Sequence, residues 1–124
     1  MGDEREVSKA YSRLFAALNA GDLDATVACF EPGACFRSKS GRVARGAAEL
    51  REVYRLTFAN KPRMAFNLHK VIPAGDDLVL VVLDWTSKAT VGEGRNLAGT
   101  AADILRRQPD GAWKFVLDNP YGIE

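Results

Sequence analysis

The sequence predicts an α+β fold, with three helices packed on a curled antiparallel sheet. Three observations predict it. Apolar residues recur at helical spacing in the first half of the chain and alternate at strand spacing in the second. The change falls at Asn60-Lys61-Pro62, a stop for any helix. The strand-like runs beyond it are separated by short turn signals, as in consecutive hairpins.

The first helix rests on Val7, Ala10, Tyr11, Leu14, Phe15 and Leu18, which make one apolar stripe. Asn19-Ala20-Gly21 ends it, with Gly21 suited to a left-handed C′ position. Asp22 caps a second helix that runs to about Phe30, and Asp24 places negative charge in its first turn. Glu31-Pro32-Gly33 reads as a turn. Ala34 to Arg37 then reads as a short strand, and Ser38 to Arg45 as a loop or ragged hairpin. Gly46 opens a third helix, Ala47 to about Ala59, with Leu50, Val53, Tyr54 and Phe58 on one face.

The strand-like runs come next. Met64 to Pro73 turns at Ala74-Gly75-Asp76. Leu78 to Thr90, almost wholly apolar as far as Trp85, reads as covered on both faces. Gly92-Glu93-Gly94 makes the next turn, before Asn96 to Arg107. Pro109-Asp110-Gly111 is a hairpin signal. In the last run Trp113, Phe115 and Leu117 alternate with Lys114, Val116 and Asp118, and Asn119-Pro120-Tyr121-Gly122 leaves the sheet. Parity alone does not assign the faces. We expect Trp113, Phe115 and Leu117 to form an exposed outer stripe that pairs two copies of the chain.

Residues 1–124 read as one domain, long enough to bury roughly two thirds of its unfolded surface. A net charge of +1 provides no field for nucleic acid or a membrane surface. No apolar run approaches the ~18 residues of a transmembrane helix. The charged start, MGDEREVSK, has no apolar core of a secretory signal, so the expected location is cytoplasmic. Cys29 and Cys35, with the single His69, do not make a zinc-ligand set, and no metal or cofactor is expected.

The order of elements, and the phrase Ala16-Ala17-Leu18-Asn19-Ala20-Gly21-Asp22-Leu23-Asp24 in particular, resembles a known family. The chain is similar to the cone-shaped proteins that include nuclear transport factor two, ketosteroid isomerase and the SnoaL-like cyclases. The resemblance covers nearly the whole chain and implies a pocket between helices and sheet, no cofactor, and a homodimer through the sheet. It also assigns positions. The isomerase's carboxylate base falls on Ser38 and its first-helix tyrosine donor on Leu14, so both groups are absent at those positions. Its supporting tyrosine falls on Tyr54 and its protonated aspartate on Asp103. Limonene epoxide hydrolases are similar in layout; there Asp103 and Asp118 stand for the two aspartates, and Ala101 for the bridging arginine.

Asp103 interrupts the apolar run Leu97–Leu105, and Asp118 ends the last strand. A carboxyl in an apolar pocket has a raised pKa and serves as proton donor or acceptor near neutrality. The alternatives are a pairing of Asp103 with an arginine such as Arg106 or Arg107 or its bonding to backbone, and capping of the Asn119-Pro120 turn by Asp118. His69 titrates near neutrality and faces either the pocket or the outside. Tyr54 and Trp85 line the pocket or pack in the core. Arg37, Lys39, Arg42 and Arg45 attract an anionic ligand at the mouth or form a solvated loop. These residues support two function classes: an enzyme that isomerises, cyclises or hydrates a small, largely apolar organic molecule through Asp103, or a dimeric binding module without chemistry. A filled core with no pocket is a third.

Overall fold

The computed structural model describes residues 2–90 and 96–122, so the expected turn at Gly92-Glu93-Gly94 lies outside the described residues. Helix α1 (Gly2–Ala20) buries the whole predicted stripe. Gly21, at φ +66°, ends it: the Gly21 N–H donates to the Leu18 carbonyl and the Asp22 N–H to the Ala17 carbonyl. These two bonds satisfy carbonyls that a helix end otherwise leaves unpaired. Asn19, read only as a helix breaker, also docks the helix on the sheet. Its side chain accepts from the Met64 N–H (2.6 Å) and donates to the Met64 carbonyl (2.9 Å).

Asp22 caps α2 (Leu23–Ala28) through the Ala25 N–H, as expected. The helix stops short of Phe30 because the next strand begins there. The Cys29 carbonyl accepts from the Phe115 N–H at 2.9 Å, and the Phe30 ring packs on that of Phe115. Strand β1 (Phe30–Arg37) therefore absorbs Glu31-Pro32-Gly33, which is an irregularity inside the strand rather than a turn before it. Pro32 has no N–H to leave unpaired there. A hairpin leads to β2 (Val43–Arg45), then to α3 (Gly46–Thr57) and a 3-10 turn, Phe58–Asn60.

Strands β3 (Arg63–Pro73), β4 (Leu78–Lys88), β5 (Leu97–Arg107) and β6 (Trp113–Asp118) form the meander. The curled, unclosed sheet has the order β2-β1-β6-β5-β4-β3. It is mixed: β1 and β6 run parallel, while the other neighbours are antiparallel.

Helices cover one face only, which corrects two expectations. β4 is not covered on both faces: Val79, Val81, Leu83, Trp85 and Ser87 are buried while Leu80 and Asp84 are exposed. Trp113 and Phe115 are not an outer stripe. They are 3% and 0% exposed, and Phe115 meets the Tyr11 ring edge-on at 4.9 Å. The outer face instead carries Ile72, Leu80, Ile104 and Leu117, paired in register across β3, β4, β5 and β6. No helix among the described residues is long and apolar enough to cross a membrane.

Candidate functional site

A cavity of about 150 Å³ lies between the helix layer and the inner face of the sheet. Leu14, Leu18 and Phe15 of α1 form one wall, and Leu83, Trp85 and Ala101 of the sheet another. Into this apolar space project two carboxyls, Asp103 from β5 and Asp118 from β6.

Strand parity alone does not bring them together. Phe115 faces Leu105 and Leu117 faces Ile104, so Val116 is an extra, unpaired residue. A one-residue bulge moves the following side chains to the opposite face. Phe115 therefore points into the core, Leu117 outward, and Asp118 inward beside Asp103. The two carboxyls are close enough to hydrogen-bond to each other.

Each carboxyl has its own tyrosine. The Tyr11 hydroxyl donates to Asp103 Oδ2 at 2.6 Å, and the Asn119 N–H donates to Asp103 Oδ1 at 2.7 Å. The Tyr54 hydroxyl donates to Asp118 Oδ2. Both of Asp103's oxygens are thus held, and the residue is 2% exposed, whereas Asp118 is partly exposed. Burial and then the neighbouring Asp118 charge push the Asp103 carboxyl well above its ordinary value. Burial lifts Asp118 to about 6, against the pull of its bonds from Tyr54 and Asp103. Burial also raises both tyrosines, which stay protonated donors. Both carboxyls are therefore raised above the ordinary carboxylate range, and as close neighbours they titrate as a pair rather than independently.

The structure brings Asp103, Asp118, Tyr54, Trp85 and Leu14 to this cavity. It does not bring His69. The pairing steps from Leu68–Leu83 to Lys70–Val82, so His69 is itself a bulge residue, and it meets Asp84 on the outer face at 2.7 Å. Arg106 pairs with Glu31 and Arg107 with Asp77, so neither is the partner of Asp103. Arg37 donates to Asn119, and Lys39 lies over the Tyr121 ring at 5.4 Å; neither they nor Arg42 and Arg45 line the cavity. Ser38, at the position expected for a base, bonds to Ser40 instead. Among the described residues no cluster of His, Cys, Asp and Glu is arranged to hold a metal ion.

Sequence reasoning missed Tyr11, Phe36, Pro120 and Tyr121 as cavity residues. Tyr11 had a signal: a tyrosine in a buried stripe needs a partner for its hydroxyl. It lies one helical turn before Leu14, on the same buried face of α1, and its hydroxyl is taken up by Asp103.

A helix layer over a curled sheet, with polar groups converging in the cavity between them, defines a protein of the nuclear transport factor two-like cone class. The SnoaL-like domain model matches residues 11–116, and the chain belongs to the SnoaL-like family. Among solved structures it is similar to Aln2 from a Streptomyces species, at 25% identity and TM-score 0.81, over 96% of this chain and 89% of that one. An NTF-2-like protein of unknown function from Shewanella oneidensis shares 18% identity at TM-score 0.80, over 95% and 97% of the two chains. A ketosteroid isomerase-like protein from Erwinia carotovora atroseptica shares 21% identity at TM-score 0.73, over 94% and 93%. No curated protein matches the chain.

Proposed function

We propose that the protein is a cofactor-independent acid–base enzyme for a small, largely apolar organic molecule. The observation that carries this reading is the Asp103–Asp118 pair, two neighbouring carboxyls in an apolar cavity, each held by its own tyrosine and both raised above the ordinary carboxylate range. Of the two, Asp118 is the catalytic residue. It is the one more open to the cavity, burial lifts its carboxyl to about 6, and a base that titrates near the working pH combines availability with strength. Asp103, buried and held on both oxygens by Tyr11 and Asn119, is a positioning residue beside it, where the sequence had pointed to Asp103 itself as the acid or base. A single accessible base suits reactions in which one group removes a proton and returns it elsewhere, which favours isomerisation or enolisation over steps needing a separate acid.

The test is proton exchange. A small cyclic β,γ-unsaturated ketone in D₂O, followed by NMR, should gain deuterium or isomerise faster with protein than with buffer. Asp118→Asn should lower that rate by about 10²- to 10⁴-fold, the usual weight of a general base. A rate equal to buffer for the unmodified protein would leave the alternative, a binding module without chemistry.

We also propose a homodimer through the outer face. Ile72, Leu80, Ile104 and Leu117 form an apolar row across four strands, and Ile72 and Leu80 are 45% and 37% exposed. A row of this kind can match its own copy across a two-fold axis. The free thiols Cys29 and Cys35 fit a reducing, cytoplasmic setting.

A further inference from the structure

We propose that Trp85, latched to the turn Asn119–Gly122, limits the ligand of the cavity to about one ring. This rests on the reading of the cavity as a ligand site and deepens it to a substrate class: neutral, single-ring molecules.

The latch is built from three contacts. Trp85 Nε1–H donates to the Pro120 carbonyl at 2.6 Å. The Tyr121 ring meets the indole edge-on, with centroids 5.5 Å apart. Asn119 fastens the turn to β5: its carbonyl accepts from the Ala102 N–H at 3.1 Å and its N–H donates to Asp103 Oδ1. Trp85, Pro120 and Tyr121 all line the cavity, so the turn is part of its wall.

Two glycines allow the turn to lie this close. A Cβ on Gly99 would stand 2.9 Å from Trp85 Nε1 and 3.0 Å from the Pro120 carbonyl oxygen. A Cβ on Gly122, at φ +59°, would stand 2.7 Å from the Thr100 carbonyl oxygen. Side chains at either position would push the turn off the sheet. With the turn in place, the space left is about 150 Å³. An apolar cavity near 150 Å³ accommodates a benzene-sized molecule, far short of a four-ring steroid. Charge narrows the class further. Asp103 and Asp118 line the cavity and, among the described residues, no Lys or Arg does, so an anionic group within it meets carboxyl charge in a medium that screens it poorly.

The test uses two neutral probes, phenol and 2-naphthol, titrated calorimetrically into the unmodified protein, Trp85→Phe and Tyr121→Ala. Trp85→Phe keeps a ring in the core but removes the N–H that holds Pro120. Tyr121→Ala removes a ring from the turn and leaves the buried core intact. In an unrestricted apolar site 2-naphthol binds more tightly, because it buries more surface. The unmodified protein should instead prefer phenol by roughly tenfold or more, and at least one variant should lose that preference by gaining 2-naphthol affinity. Equal or tighter binding of 2-naphthol by the unmodified protein overturns the proposal, as does a preference for phenol that survives in both variants. Binding of neither probe to any of the three proteins overturns the ligand-site reading itself, and the proposal with it. A loss of catalysis in Asp118→Asn bears on the acid–base reading alone.

Discussion

Asp103 and Asp118 share one face of the sheet because Val116 stands between β5 and β6 without a partner. In a regular strand Asp118 would lie on the face opposite Phe115 and reach the outside. The bulge turns it into the cavity, where it accepts from the Tyr54 hydroxyl and lies beside Asp103. One extra residue thus converts an outer carboxylate into half of a coupled pair.

Burying that pair has a consequence for stability. Folded, Asp118 keeps its proton up to about 6, against an ordinary value of 3.8, and the Asp103 carboxyl is likewise raised well above 3.8 by burial. Between these values the folded chain binds more protons than the unfolded chain, so stability falls as pH rises through this window, and the deficit remains above it. Asp118→Asn cannot ionise there. Its stability relative to the unmodified protein should be greater at pH 8 than at pH 4, by up to about 3 kcal/mol. Calorimetric melts at the two pH values measure this, and parallel Tm profiles would count against a buried pair.

Tyr11→Phe removes the hydroxyl that donates to Asp103 Oδ2. A buried acceptor then loses a partner, at a cost of about 1–3 kcal/mol in urea unfolding at neutral pH. That hydroxyl also pulls the Asp103 carboxyl down, so its loss should raise the titration of Asp103 further. A variant as stable as the original would show that the bond contributes nothing.

Gly99→Ala should disturb the Trp85 indole and the Pro120 carbonyl together, since the added Cβ meets both. Overpacking of this kind costs about 1–3 kcal/mol. Thermal melts should show the loss, and the tryptophan emission should shift to the red as the indole meets water. An unchanged melt and spectrum would place the turn elsewhere in solution.

Leu80→Lys puts a charge in the middle of the row Ile72–Leu80–Ile104–Leu117. Sedimentation velocity should give a dimer for the unmodified chain and a monomer for the variant. A monomeric unmodified chain would dispose of the dimer proposal.

Much of the fold was legible in the sequence, and the reason is periodicity. Val7, Ala10, Tyr11, Leu14, Phe15 and Leu18 share one helical stripe, and each is buried. Gly21 and Asp22 mark the break between α1 and α2 by local chemistry that needs no tertiary context. The faces of the strands were not legible, because they depend on bulges that leave no mark in composition. His69 and Val116 are each one extra residue, and each reverses the parity of the residues after it. Nor does alternation say which face is inner, so Trp113 and Phe115 were expected outside while the structure buries them. Asp103 was visible as a charge in an apolar run. Its true partners, Tyr11 and Asn119, lie 92 and 16 residues away and meet it only through the fold.

The measurement that tests the central claim most directly is a carbon-13 NMR titration of the aspartate carboxyls, assigned with Asp103→Asn and Asp118→Asn. The account predicts one carboxyl that titrates near 6 and a coupled partner that stays protonated well above the ordinary range, each moving when the other is replaced. Two independent titrations near the ordinary 3.8 would contradict it.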